Sequence, residues 1–235
     1  MKQIDLGGVS VMIVMVVKGE PTLPTVISLL RTVDDLVRRG IDYDIVFQID
    51  GNVEYARTKA AHDFLKSKHH RMFCIDADME WTSDSFMRVL ALSMKMDIVG
   101  ALYTARCDPP KFFVNFNGNT AENGDVTVEP NEWGCFPARS AMGFVCCSRW
   151  AIQKVTDSCE KIKFTLSPEK MAHIFDCDVI DGEFVGEDMA FLARAQKLGI
   201  DVFYDPSITL GHVGSKVYRA NFTDSMQRIT SEAAE

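Results

Sequence analysis

Phe73-Cys74-Ile75-Asp76-Ala77-Asp78 ends an apolar run with two carboxylates one residue apart. The run has the make-up of a buried strand, and such a strand delivers both acids at its carboxyl end. Two like charges in a partly buried cleft are unfavourable, and one pKa rises sharply unless a cation lies between them. A divalent metal bound by oxygen ligands removes that penalty and bridges to phosphate oxygens. The stretch predicts a metal-assisted phosphate site. Its competing reading is an acidic surface turn, because D-x-D is short enough to recur by chance.

The segments on either side alternate. Residues 9–17 form a strongly apolar run of nine, too short to span a bilayer and without a small-residue cleavage site after it, so they read as a buried strand. In residues 25–39, Val26, Leu29, Leu30, Val33, Leu36 and Val37 recur at helical spacing before Gly40. A second strand, 45–49, ends at Asp50-Gly51, and a helix over 52–66 places Ala56, Ala60 and Phe64 four apart. After the acidic pair, Thr82 or Ser83 caps a helix with Phe86, Val89, Leu90 and Met94 on one face, and 98–103 supplies the next strand. This order predicts an α/β fold: a mainly parallel sheet covered by helices, with ligands outside the carboxyl ends of its strands. Asp50, Asp76 and Asp78 all fall at such ends.

The middle of the chain changes character. Residues 112–116, an Asn117-Gly118 turn and 126–129 predict a small antiparallel insertion. A strand over 144–147 and a helix over 149–157 follow. Residues 158–182 lack a period and read as a mobile loop, before a helix at 187–198 and a last strand at 202–204. Beyond Tyr218 the chain reads as a polar, fraying tail.

Composition bounds the function. The 235 residues are 47% hydrophobic and 25% charged, as in a soluble globular protein, and one domain spanning 1–235 is expected. A net charge of -8 argues against a general nucleic-acid footprint. Seven cysteines without C-x-x-C spacing indicate neither a zinc site nor a disulfide framework, which favours a reducing, cytoplasmic compartment. No transmembrane segment is expected.

Five separated segments, taken in order, resemble motifs of the nucleotide-sugar glycosyltransferases of the GT-A fold, especially the family 2 group. Ala56-Arg57-Thr58-Lys59 is similar to an Ala-Arg-Asn element on the helix before the metal strand, and Asp76-Ala77-Asp78 to the D-x-D. Ser140-Ala141-Met142-Gly143-Phe144 is similar to the segment that shapes the sugar and acceptor pocket. Gly186-Glu187-Asp188 is similar to the acidic motif that opens a helix, and Gly211-His212-Val213-Gly214 to the late His-x-Gly element. The resemblance spans residues 9–216 and implies a Rossmann-like GT-A sheet. Its nucleotide-binding half is 9–103, its acceptor-side half 104–216, and 217–235 is the tail.

The resemblance implies transfer of a sugar from a nucleoside-diphosphate sugar, UDP-linked, to an acceptor hydroxyl. Mn2+ or Mg2+ is expected on Asp78, with Asp76 reaching the ribose or the metal through water and His212 completing the shell. Arg57 is suited to a phosphate. Val17, Gly19, Pro21 and Asp50 are expected at the nucleoside end, Ala77 within the donor loop and Gly143 in the sugar pocket. Asp188 is the expected base of an inverting reaction, with Glu187 binding the acceptor. That acceptor is a glycan, a small molecule or another hydroxyl-bearing group; a nucleic-acid acceptor has no residue in its support.

Other readings stay open at this point. Asp50 equally opens an Asp-Gly turn, and Glu187 and Asp188 equally suit a helix start. Trp81 and Trp133 either stack on sugars or fill core. Thr58 replaces the usual asparagine, and Met142 stands where a smaller residue is common. A retaining transferase, a D-x-D phosphatase and a non-enzymatic glycan-binding module are the alternatives. The phosphatase class is disfavoured by Glu80, which stands where Thr or Val is usual.

Overall fold

Strand β1 (Ser10–Val17) shows why the molecule is layered. Val11, Ile13 and Met15 face one apolar cluster while Met12 and Val14 face another, so both faces of the strand must be covered. The computed structural model describes residues 4–116, 119–120, 126–165, 167–180 and 182–225. After β1 come α1 (Leu23–Arg39), β2 (Asp42–Ile49), α2 (Val53–Lys66), β3 (Arg71–Asp76), β4 (Met79–Glu80), α3 (Ser83–Leu92) and β5 (Ile98–Ala101). Next are β6 (Val114–Phe116), β7 (Asn119–Thr120), β8 (Val126–Thr127), β9 (Phe136–Ser140), β10 (Phe144–Ser148) and α4 (Arg149–Ser158). The chain continues through β11 (Lys161–Lys163), β12 (Lys170–Ala172), β13 (Asp178–Ile180), β14 (Glu183–Val185) and α5 (Glu187–Lys197) to β15 (Val202–Asp205), β16 (Gly211–Val213) and β17 (Val217–Arg219).

Local chemistry sets the helix ends. Asn52, Thr82 and Ser148 each accept a hydrogen bond from a backbone N–H of the first turn of α2, α3 and α4. Gly40, at φ 66°, closes α1 in a conformation that side-chain-bearing residues avoid. α1 opens at Leu23 rather than at residue 25, because Pro24 fits the first turn of a helix.

The main sheet has eight strands in the order β2-β1-β3-β10-β5-β15-β9-β6. Only β10 and β9 run against the others, so the expected mainly parallel sheet is what forms. Leu29 and Leu36 of α1 and Phe86 and Leu90 of α3 pack on one face. Phe64 of α2, Ile152 of α4 and Phe191 of α5 pack on the other. Buried Cys74, Cys135, Cys146 and Cys147 act as small core residues, and burial pushes the Cys74 thiol up to about 12. No helix among the described residues is long and apolar enough to cross a membrane.

Several expectations are corrected. Residues 158–182 hold paired strands, β11 with β12, and β13 with β14 just beyond into residue 185. β6 pairs with β9, Val114 opposite Ser140, instead of with 126–129, while β7 and β8 pair with each other. The expected 117–118 turn lies outside the described residues. The supposed tail is docked as far as it is described: β17 pairs with β16, and buried Phe222 contacts the rings of Phe112 and Phe116. Residues 226–235 lie outside the described ones.

Gly100 marks the tightest point of the sheet centre. An added Cβ would lie 2.7 Å from Val145 Cγ2, 2.9 Å from the Phe144 carbonyl oxygen and 2.9 Å from Tyr204 Cε1. The carbonyl cannot move without breaking the β10 ladder. Gly100→Ala is expected to destabilise the fold by about 1–3 kcal/mol, read as a lower urea midpoint at unchanged m-value.

Candidate active site

Because β1, β2 and β3 are parallel, their carboxyl ends lie together, and the turns that follow meet around one cleft of about 380 Å³. Lys18, Gly19, Asp50, Arg57, Asp76, Ala77 and Asp78 are among its walls. Its floor is fixed by α1. The fully buried Thr25 hydroxyl shares its one proton between the carbonyls of Met79 (2.7 Å) and Ala77 (3.0 Å), and the Thr22 N–H donates to the Ala77 carbonyl at 2.9 Å. The acidic pair therefore projects from a clamped turn.

Arg57 is the charge centre. Its side chain, on α2, is only 7% exposed, and Nη2 donates to Asp76 Oδ1 at 3.0 Å while Nε lies 3.5 Å from Glu187 Oε1. Nε and Nη1 have no hydrogen-bond partner, an unusual condition for a buried guanidinium. Burial opposes its charge, but Asp76, Asp188 and Glu187 outweigh burial and hold its pKa above the ordinary arginine value. Burial also raises the Glu187 carboxyl, against the pull of Arg57.

Antiparallel β10 brings the next piece in. It starts beside the end of β3, so the Gly143 carbonyl accepts the Asp76 N–H at 3.0 Å. A Cβ on Gly143 would lie 2.7 Å from Asp76 Oδ2 and 2.5 Å from Tyr103 Oη, so only glycine leaves the carboxylate in place. Asp188 reaches the same segment, with Oδ2 3.4 Å from the Met142 N–H and Oδ1 accepting the Met189 N–H at 2.7 Å. The N-cap of α5 is Gly186, with no side-chain cap, so neither Glu187 nor Asp188 is the capping residue.

Asp78 belongs to a second group. β4 pairs with β16, His212 opposite Met79, and the Val213 N–H donates to the Asp78 carbonyl at 2.8 Å. His212 Nε2 thereby lies 3.7 Å from Asp78 Oδ2, and the guanidinium of Arg106 contacts the same oxygen. Asp78 Oδ1 is buried and has no partner. His212 Nδ1 is 2.9 Å from the Thr104 carbonyl, which can only accept, so the proton sits on Nδ1 and Nε2 presents its lone pair. A second-sphere carbonyl of this kind is what orients a metal-binding imidazole. Asp78 and His212 thus suit a divalent cation as a two-residue set, although no three His, Cys, Asp or Glu side chains among the described residues form a metal-holding group.

The other expected residues divide. Gly19, Asp50 and Ala77 line the cleft, but Asp50 Oδ1 also accepts the Asn52 N–H at 2.8 Å, the turn role that competed with nucleoside binding. Val17 has its side chain in the core and contributes a carbonyl to the Asp50 N–H (3.3 Å); Pro21 is not part of the cleft wall. Trp81 is core, its indole N–H donating to Thr32 at 2.8 Å. Thr58 and Met142 are buried. Arg106, Thr104 and Tyr103 were not singled out from the sequence; the four residues that separate Arg106 from the end of β5 were the available signal.

The strand order, with the acids at the carboxyl ends and β10 inserted against β3, is a GT-A-like fold. No protein-family model and no curated protein matches the chain. Among solved structures, A197 from STIV is 18% identical with a TM-score of 0.50, over 87% of this chain and 85% of that one. GalNAc-T7, solved with UDP, GalNAc and Mn2+, is 14% identical with a TM-score of 0.51, over 93% of this chain and 45% of that one. At these identities the likeness is one of fold.

Burial lowers the His212 pKa below 6.5, and Arg106 adds to the effect against the Thr104 carbonyl and Asp76. The native state then binds fewer protons than the unfolded chain, so this residue's share of stability is complete above pH 6.5 and is lost as pH falls through the lowered value. Long-range 1H–15N spectra should show an Nδ1-protonated ring at pH 7. A titration midpoint at or above 6.5 would contradict the burial argument.

Proposed function

We propose that the chain is a metal-dependent glycosyltransferase that moves a sugar from a UDP-linked donor to an acceptor hydroxyl with inversion at the anomeric carbon. One observation carries the reading: buried, ionised Arg57 stands at the end of β3 between Asp76 and the Glu187-Asp188 pair, with no hydrogen bond made by Nε or Nη1. A guanidinium so placed suits an anionic ligand such as a diphosphate. GalNAc-T7 with its UDP and Mn2+ supports the choice of donor and metal as an analogy of fold.

In this reading the diphosphate end of the donor lies over Arg57 and the nucleoside end against Gly19 and Asp50. Mn2+ or Mg2+ held by Asp78 and His212 would supply positive charge to the departing diphosphate. Asp76 orients Arg57 and faces the ribose. Glu187 accepts a hydrogen bond from the acceptor, a glycan or small molecule. Asp188 takes the proton of the acceptor hydroxyl as its oxygen bonds to the anomeric carbon and the bond from that carbon to the diphosphate oxygen breaks. The Met142 and Met189 N–H groups hold the Asp188 carboxylate in place.

The test is a panel of nucleotide sugars with manganese, reading nucleoside diphosphate release and thermal shift. Asp78→Asn is expected to lose most turnover and the metal-dependent part of the shift while remaining folded. Full turnover in chelator would refute the metal. Asp188→Asn should bind the donor nearly as wild type does yet transfer about two to four orders of magnitude more slowly. Retention of configuration in the product, seen by NMR, would reassign Asp188 to positioning.

A further inference from the structure

Asp78 is incompletely matched by its present partner. Arg106 contacts Oδ2 alone, although a guanidinium satisfies a carboxylate best through both oxygens, and buried Oδ1 is left without a hydrogen bond. The head of Arg106 is 44% exposed, but the backbone that carries it is tied down on both sides. Thr104 accepts from His212, the Ala105 N–H donates to the Lys111 carbonyl at 2.8 Å, and Asp108 pairs with Lys216 at 2.5 Å. Gly214 leaves room for the Arg106 side chain, since a Cβ there would sit 3.0 Å from Arg106 Cδ. The guanidinium can therefore change partner by side-chain rotation on a fixed backbone. A divalent cation and a guanidinium cannot share one small carboxylate without strong repulsion.

We propose that Arg106 is a donor-site residue that alternates with the divalent cation at Asp78: it neutralises the carboxylate in the ligand-free chain, and once displaced it hydrogen-bonds the diphosphate of the donor. This rests on the metal and diphosphate reading above. Arg106 is then a built-in competitor for the metal and a second arginine for the phosphates, paired with Asp78 as Arg57 is with Asp76.

Calorimetry separates the two ideas. Mn2+ is titrated into the nucleotide-free chain, and UDP into the chain saturated with Mn2+, for wild type, Arg106→Ala, Arg106→Lys and Lys111→Ala. Arg106→Ala should bind Mn2+ about three- to tenfold more tightly and UDP about tenfold more weakly. Arg106→Lys keeps the charge and guards against misfolding; it should fall between. Lys111→Ala, on the same strap and altering only an exposed side chain, should match wild type in both. If Arg106→Ala binds Mn2+ no more tightly, or UDP equally well, while wild type binds both, the role of Arg106 is overturned and the proposed function stands. If wild type binds neither Mn2+ nor UDP, the proposed function falls and this inference with it.

Discussion

A guanidinium inside the protein governs the arrangement around it. Arg57 is nearly sealed from water, and burial alone would disfavour its charge; carboxylates from β3 and from the start of α5 reverse that balance. Gly143 belongs to the same arrangement, since a Cβ there would meet the Asp76 carboxylate that pairs with Arg57. Asp76, Asp188 and Glu187 all act on this one guanidinium, yet its Nε and Nη1 make no hydrogen bond. Such a group is poised to exchange partners with a ligand instead of acting as a closed ion pair.

The second half of the site depends on backbone pairing rather than on charge. Two residues of β4 and three of β16 are enough to bring His212, 134 positions along the chain, beside Asp78. The segment after β5 closes over them and supplies both the carbonyl that sets the imidazole tautomer and the arginine that meets the carboxylate. Strand-end acids, a late histidine and a cross-strap arginine thus form a unit drawn from three separate parts of the chain, with β4, β16 and β17 as a small sheet of their own.

The local half of this was legible in the sequence. The apolar run before Asp76, the helical spacing in α1 and the caps Asn52 and Thr82 are short-range signals, and they place Asp76, Asp78 and Arg57 on the elements observed. Glu187 and Asp188 were also found, through the likeness of their motif. What was not legible depends on partners distant in sequence. β11 to β14 are three residues each, too short to show a period, and β6 chose β9 over its nearer neighbour because its apolar side chains meet Phe222 and the core. Arg106 lies in a stretch whose sequence reads as loop, and only the pairing of β4 with β16 reveals what its side chain faces. Val17 ends β1 with its side chain in the core, so what it brings toward the site is backbone alone, which a sequence pattern does not distinguish.

The position of β15 has a consequence for synthesis. Its four residues lie between β5 and β9, and every residue of β5 is buried in the finished sheet. A ribosome delivers β5 about a hundred residues before it delivers β15, so one edge of an apolar strand has no native partner during that interval. β10 can protect the opposite edge much sooner. The nascent chain therefore passes through a stage with its first three strands formed and an open seam in the middle of the sheet, where a chaperone, or another unfinished chain, finds its clearest foothold.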